Sequence, residues 1–92
     1  MTEQNNINER IHQLSRLRWA CRRGMLELDV LLGNFLEGGY AELSDDDKWL
    51  FIRLLETPDP DLIAWLMGSE RPDDQELCRM VERIKAHAKS RF

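Results

Sequence analysis

The chain has 92 residues and a mass of 10.9 kDa, enough for one domain able to bury roughly 65% of its unfolded surface, and too little for a large enclosed active site. With 42% hydrophobic and 33% charged residues it reads as a soluble globular chain. The net charge of −4 conceals three zones: residues 1–24 net +3, residues 25–76 net −11 and residues 77–92 net +4. A strongly acidic middle argues against a nucleic-acid binder, which needs a continuous basic face.

The longest apolar run, Val30 to Leu36, is short and interrupted by Gly33 and Asn34, so no membrane span is expected. The polar opening Met1-Thr2-Glu3-Gln4-Asn5-Asn6 lacks the order of a signal peptide, and two cysteines are too few for a disulfide scaffold. The chain is therefore expected to be cytoplasmic and reduced, with a flexible segment over 1–7 and a helical domain over 8–90.

Helical periodicity recurs between the breakers Gly24, Gly38-Gly39, Pro58, Pro60, Gly68 and Pro72, and no alternating strand pattern is present. The first helix is expected from about Asn8 to Arg22, with Ile7, Ile11, Leu14 and Cys21 at helical spacing. The second runs from about Met25 to Glu37, with Leu28, Leu31, Leu32 and Phe35 as its stripe; Gly33 inside it predicts a bend or a close packing contact. Ser44 caps the third, Asp45, Asp46 and Asp47 occupy its first turn, and Leu50, Phe51, Leu54 and Leu55 form its buried face. Asp47 stands where a capping box would carry Glu or Gln. The fourth is expected to open with Asp59 as cap and Pro60 first in the helix, and to stop at Gly68; the fifth starts near Pro72 and carries Leu77, Met80, Val81, Ile84 and Ala88. The fold class is an all-α bundle of about five helices.

Few residues suit catalysis. His12 and His87 are the only imidazoles, and with Cys21 and Cys78 they show no usual metal-ligand spacing, which favours packing over zinc binding. No phosphate-cradling glycine loop, nucleophile elbow or calcium loop is present. No enzyme is predicted.

The informative cluster is Trp19-Ala20-Cys21-Arg22-Arg23-Gly24-Met25-Leu26-Glu27-Leu28-Asp29. One reading is purely structural: Arg22 and Arg23 complement the end of the first helix, Gly24 makes a left-handed turn, and Glu27 and Asp29 complement the start of the second. It leaves Trp19 unexplained. The other reading is an interface in which Trp and Arg anchor a partner and Gly24 lets its backbone approach.

Here the chain resembles the SdhE family, the FAD assembly factors of succinate dehydrogenase, whose RGxxE motif matches Arg23-Gly24-Met25-Leu26-Glu27. The match continues through Leu43-Ser44-Asp45-Asp46, Phe51-Ile52-Arg53-Leu54-Leu55-Glu56, Asp59-Pro60-Asp61-Leu62 and Trp65-Leu66-Met67, covering roughly residues 9 to 84. It departs in a longer segment before Glu9 and in Asp47, where Glu is common. The resemblance implies a factor that binds the flavoprotein subunit of succinate dehydrogenase, and in bacteria that of fumarate reductase, and promotes covalent attachment of FAD to a histidine of that subunit. It also implies that Arg23, Gly24 and Glu27 bind the partner, with Trp19, Arg22 and Asp29 beside them. No cofactor is then bound stably by the factor itself, which is expected to be a monomer when free. The alternatives are an antitoxin-type partner of a small membrane toxin and a helical nucleic-acid module built on the basic ends.

Overall fold

A computed structural model describes residues 14–90. Within them lie α1 (Leu14–Ala20), α2 (Leu26–Gly38), a 3₁₀ turn (Tyr40–Glu42), α3 (Asp45–Leu55), α4 (Asp59–Leu66) and α5 (Gln75–Ser90). The expected stretch from Asn8 to Gln13, with His12, Ile11 and the segment 1–7, lies outside the described residues.

The apolar stripes meet as the periodicity requires. Leu28, Leu32 and Phe35 of α2, Phe51 and Leu54 of α3, Leu62 of α4 and Met80, Val81 and Ile84 of α5 are all buried in one core. The amphipathic α5 packs against α2, α3 and α4, and the short α1 rests on α2 through buried Leu17. Phe35 and Phe51 pack with tilted rings, 5.4 Å between centroids, and His87 meets Phe35 edge-on at the same distance. Cys21 is buried, and burial pushes its thiol up to about 12, so it is an inert core residue; Cys78 is only half-buried.

Helix starts explain the main differences from expectation. Ser44 caps α3 as read, its hydroxyl accepting from the Asp47 N–H at 3.2 Å. The fourth helix does not use Asp59 as its cap. The Pro58 carbonyl accepts from the Asp61 and Leu62 amides, both at 3.1 Å, so Pro58 is the cap, Asp59 the first helical residue and Pro60 the second. Proline is tolerated there because first-turn amides have no intrahelical acceptor. The fifth helix starts at Gln75, not near Pro72. The Asp74 carboxylate accepts from the Glu76 and Leu77 amides at 2.8 and 3.2 Å, and this cap sets the boundary. Gly68 does close α4. A Cβ there would lie 2.7 Å from the Ala64 carbonyl oxygen, which the Glu70 amide also approaches.

Asp47 departs from the capping-box pattern for a tertiary reason. Its carboxylate accepts from Arg79 at 3.0 and 3.4 Å and from Arg83 at 3.2 Å, clipping the start of α3 to α5. The hydrogen bond from Arg79 holds the Asp47 carboxyl below its usual range. Stability from a carboxyl shifted this way is present above the unfolded-state value, near pH 4, and is lost as the pH falls through the lower folded-state value. Both arginines are about half exposed, so Asp47→Asn is expected to lower unfolding free energy by less than about 1 kcal/mol. Urea titrations should show the gap between variant and wild type at about pH 7 and find it smaller at about pH 3.

Among the described residues Gly33 carries no packing contact: a Cβ built on it meets none of them within 4 Å. The close-packing explanation is therefore corrected. Its helix-propensity cost of about 1 kcal/mol relative to Ala is offset by no packing contact among the described residues.

Candidate partner interface

The candidate site is the connection from α1 to α2. After Ala20 the helix tightens, with the Cys21 amide donating to Leu17 and the Arg22 amide to Trp19, at 3.0 and 3.1 Å. Gly24 then takes φ +79°, a left-handed conformation that costs other residues about 1–2 kcal/mol. Asp29, from the first turn of α2, reaches back and accepts from the Arg23 amide at 2.6 Å and the Gly24 amide at 3.2 Å. One carboxylate thus satisfies two loop donors and fixes the turn relative to the helix that follows it.

The Arg23 side chain folds beneath the turn and is only 18% exposed. Its Nη2 donates to the Leu55 carbonyl at the end of α3, and its Nη1 lies 3.5 Å from the Asp59 carboxylate at the start of α4. Its Nε is buried with no acceptor among the described residues. Asp59 is available for this contact because Pro58, not Asp59, caps α4.

The six residues singled out in the sequence therefore fall into two groups. Trp19, Arg22, Gly24 and Glu27 face outward; Arg23 and Asp29 face inward and hold the turn. Trp19 is 75% exposed, and a Cβ at Gly24 would meet nothing within 4 Å, so the backbone is open to close approach from outside. Glu27 is exposed and has no ion pair among the described residues. Leu26 and Val30, missed in the sequence reading, are 80% and 50% exposed. Their spacing of four residues, off the stripe of Leu28, Leu32 and Phe35, is the signal that could have found them. Leu55 and Asp59 were missed as anchors of Arg23, being 32 and 36 positions away.

Such a surface suits docking. Exposed apolar side chains, a free carboxylate and a guanidinium surround a bare backbone turn. Among the described residues no group of His, Cys, Asp and Glu is arranged to hold a metal ion, and no helix is long and apolar enough to cross a membrane.

A family model described as the flavinator of succinate dehydrogenase matches residues 15–88. The curated FAD assembly factor SdhE of Shewanella oneidensis is 59% identical over 75 residues, covering 82% of this chain and 92% of the relative. Those of Photorhabdus laumondii and Yersinia pseudotuberculosis are 53% and 51% identical over 81 residues, each covering 88% of this chain and 92% of the relative. The chain belongs to the SdhE family. The stretch Arg23-Gly24-Met25-Leu26-Glu27 is divided in space: Arg23 lies under the turn, while Gly24 and Glu27 are displayed on it. The antitoxin and nucleic-acid alternatives gain no support. On α5, Arg79 and Arg83 are paired with Asp47, which reduces the basic face that nucleic acid would need.

Proposed function

We propose that this chain binds the flavoprotein subunit of succinate dehydrogenase and promotes the covalent attachment of FAD to it; the matching family model, described as the flavinator of succinate dehydrogenase, and the relatives named as FAD assembly factors support the reading. The observation that carries the reading is the connection between α1 and α2: open backbone at Gly24, with Arg22 exposed beside it, Trp19 exposed at the end of α1 and the unpaired Glu27 carboxylate exposed in the first turn of α2. Glu27 and Arg22 make charge-assisted hydrogen bonds to the flavoprotein. Arg23 and Asp29 act through the turn they position. The flavoprotein of fumarate reductase is the second target, and the free factor is a cytoplasmic monomer.

Joining a histidine nitrogen to the flavin 8α-methyl carbon breaks a methyl C–H bond: the proton leaves, and the electron pair passes into the ring as negative charge. The two-electron-reduced flavin left after the C–N bond forms is reoxidised by an external electron acceptor such as dioxygen. The flavoprotein's own groups stabilise that charge once correctly arranged. A small bundle helps by binding the reactive arrangement of its partner more tightly than the others, a population shift rather than catalysis. FAD is the partner's cofactor and is not held stably by this chain.

The test mixes purified chain, apo-flavoprotein and FAD and follows covalent flavin by in-gel fluorescence. Wild type is expected to accelerate incorporation; no acceleration at any concentration defeats the reading. Glu27→Gln, which removes a charge from an exposed and unpaired position, should leave unfolding unchanged and slow incorporation by about tenfold or more. An unaffected rate would reduce Glu27 to a helix-start acid.

A further inference from the structure

Among the described α-helices, α1 has the fewest buried residues. Only Leu17 of its seven residues is buried, and the anchor that follows is Cys21, just past its end. Grooves rather than side chains occupy much of the gap between α1 and the body. One of about 460 Å³ is lined by Leu14 and Arg18 on the α1 side and by Leu36 and Tyr40 opposite. Another, of about 450 Å³, is lined by Arg16 and Ala20 and by Ile52 and Leu55 of α3. A third, of about 470 Å³, lies between Arg18 and the Val30 to Gly33 face of α2. Unfilled space on several sides forfeits the contacts that would hold a short helix in place. A segment with few buried apolar contacts opens at a lower free energy than the whole chain. Past Cys21 the chain is held differently. Arg23 reaches the Leu55 carbonyl and Asp59, and Asp29 accepts from the Arg23 and Gly24 amides.

We propose that α1 is a hinged arm, swinging from the body at Arg22 while α2 to α5 and the turn held by Arg23 and Asp29 stay folded. Swinging out uncovers Cys21 and carries Trp19 away from Gly24 and Glu27. The displayed surface then comes apart without unfolding of the core. Nothing in this motion depends on the flavoprotein. The Cys21 thiol reports it: docked, it is 2% exposed and burial pushes it up to about 12, so it is unreactive until the arm opens.

The experiment uses the full chain carrying Cys78→Ser, which leaves Cys21 as its one thiol. An aromatic disulfide reagent, dithiobis-nitrobenzoate, is added and the release of nitrothiobenzoate is followed in urea below the unfolding midpoint. The labelling rate is expected to rise with urea at less than about half the slope of global unfolding, because α1 exposes little surface when it opens. Leu17→Ala should speed labelling by about tenfold or more, since it removes the main anchor of the arm, while circular dichroism stays that of a folded helical chain. Ile84→Val, in the core of α5, should lower Tm and leave labelling within about twofold of the parent, because docked and open forms both keep that core. Labelling that follows the full slope of global unfolding, and accelerates with Ile84→Val in proportion to the unfolding constant, overturns the arm: Cys21 is then reached only when the whole chain unfolds. A rate that Leu17→Ala leaves unchanged also overturns it, since the thiol is then reached without moving α1. Outright unfolding of Leu17→Ala does the same, by making α1 part of the cooperative core.

Discussion

Gly24→Arg is expected to leave a folded bundle that no longer drives flavinylation, whereas Gly24→Ala keeps most of the activity. Both replacements place a side chain at φ +79°, so both should lose about 1–2 kcal/mol of stability. Neither Cβ meets anything within 4 Å, so neither should unfold the chain. They differ in what projects outward. Alanine adds one methyl group to the displayed turn; arginine adds a long cation where a partner backbone would lie. Covalent incorporation measured well below both melting temperatures should fall below about a tenth of wild type for Gly24→Arg, an effect of hot-spot size. Equal losses for the two variants would mean that Gly24 matters only for the shape of the loop.

For Arg23→Leu the expected sequence of effects is reversed, stability first and activity through it. Leucine keeps an apolar stem but leaves the Leu55 carbonyl without its donor and Asp59 without its counterion. A deprived buried acceptor costs about 1–3 kcal/mol, and the half-exposed Asp59 adds little. The buried Nε that finds no acceptor keeps the figure from being larger, since removing it also removes an unsatisfied donor. Arg23→Lys should recover part of the loss, because a single ammonium can serve Leu55 or Asp59 but lacks the planar fork that serves both. Urea unfolding and flavinylation on the same samples decide the matter. Unchanged stability with abolished activity would show that Arg23 leaves its place under the turn to contact the partner.

What was legible in the sequence was local. Ser44 and the three aspartates after it mark the start of α3 because cap and dipole act within one turn. The core stripes were readable because burial follows a 3.6-residue period. The start of α5 was misplaced although its signal was equally local: Asp74 sits directly before Gln75 and Glu76, and Pro72 drew the boundary three residues too early. The direction of Arg23 was not legible at all. From neighbours alone it reads as the cation ending α1, and only the fold brings Leu55 and Asp59 beneath it. Asp47 hid its role in the same way, as an imperfect capping box whose true partners lie 32 and 36 residues further on.

The tie from Arg23 to the junction of α3 and α4 closes a long loop of chain. Ordering such a loop is unfavourable until the helices inside it have packed. The displayed turn consequently forms in the same cooperative step as the core rather than ahead of it. A chain opened at that junction, by heat or by a lesion far from the surface, loses its recognition shape together with its packing, so binding competence itself reports that this small factor is whole.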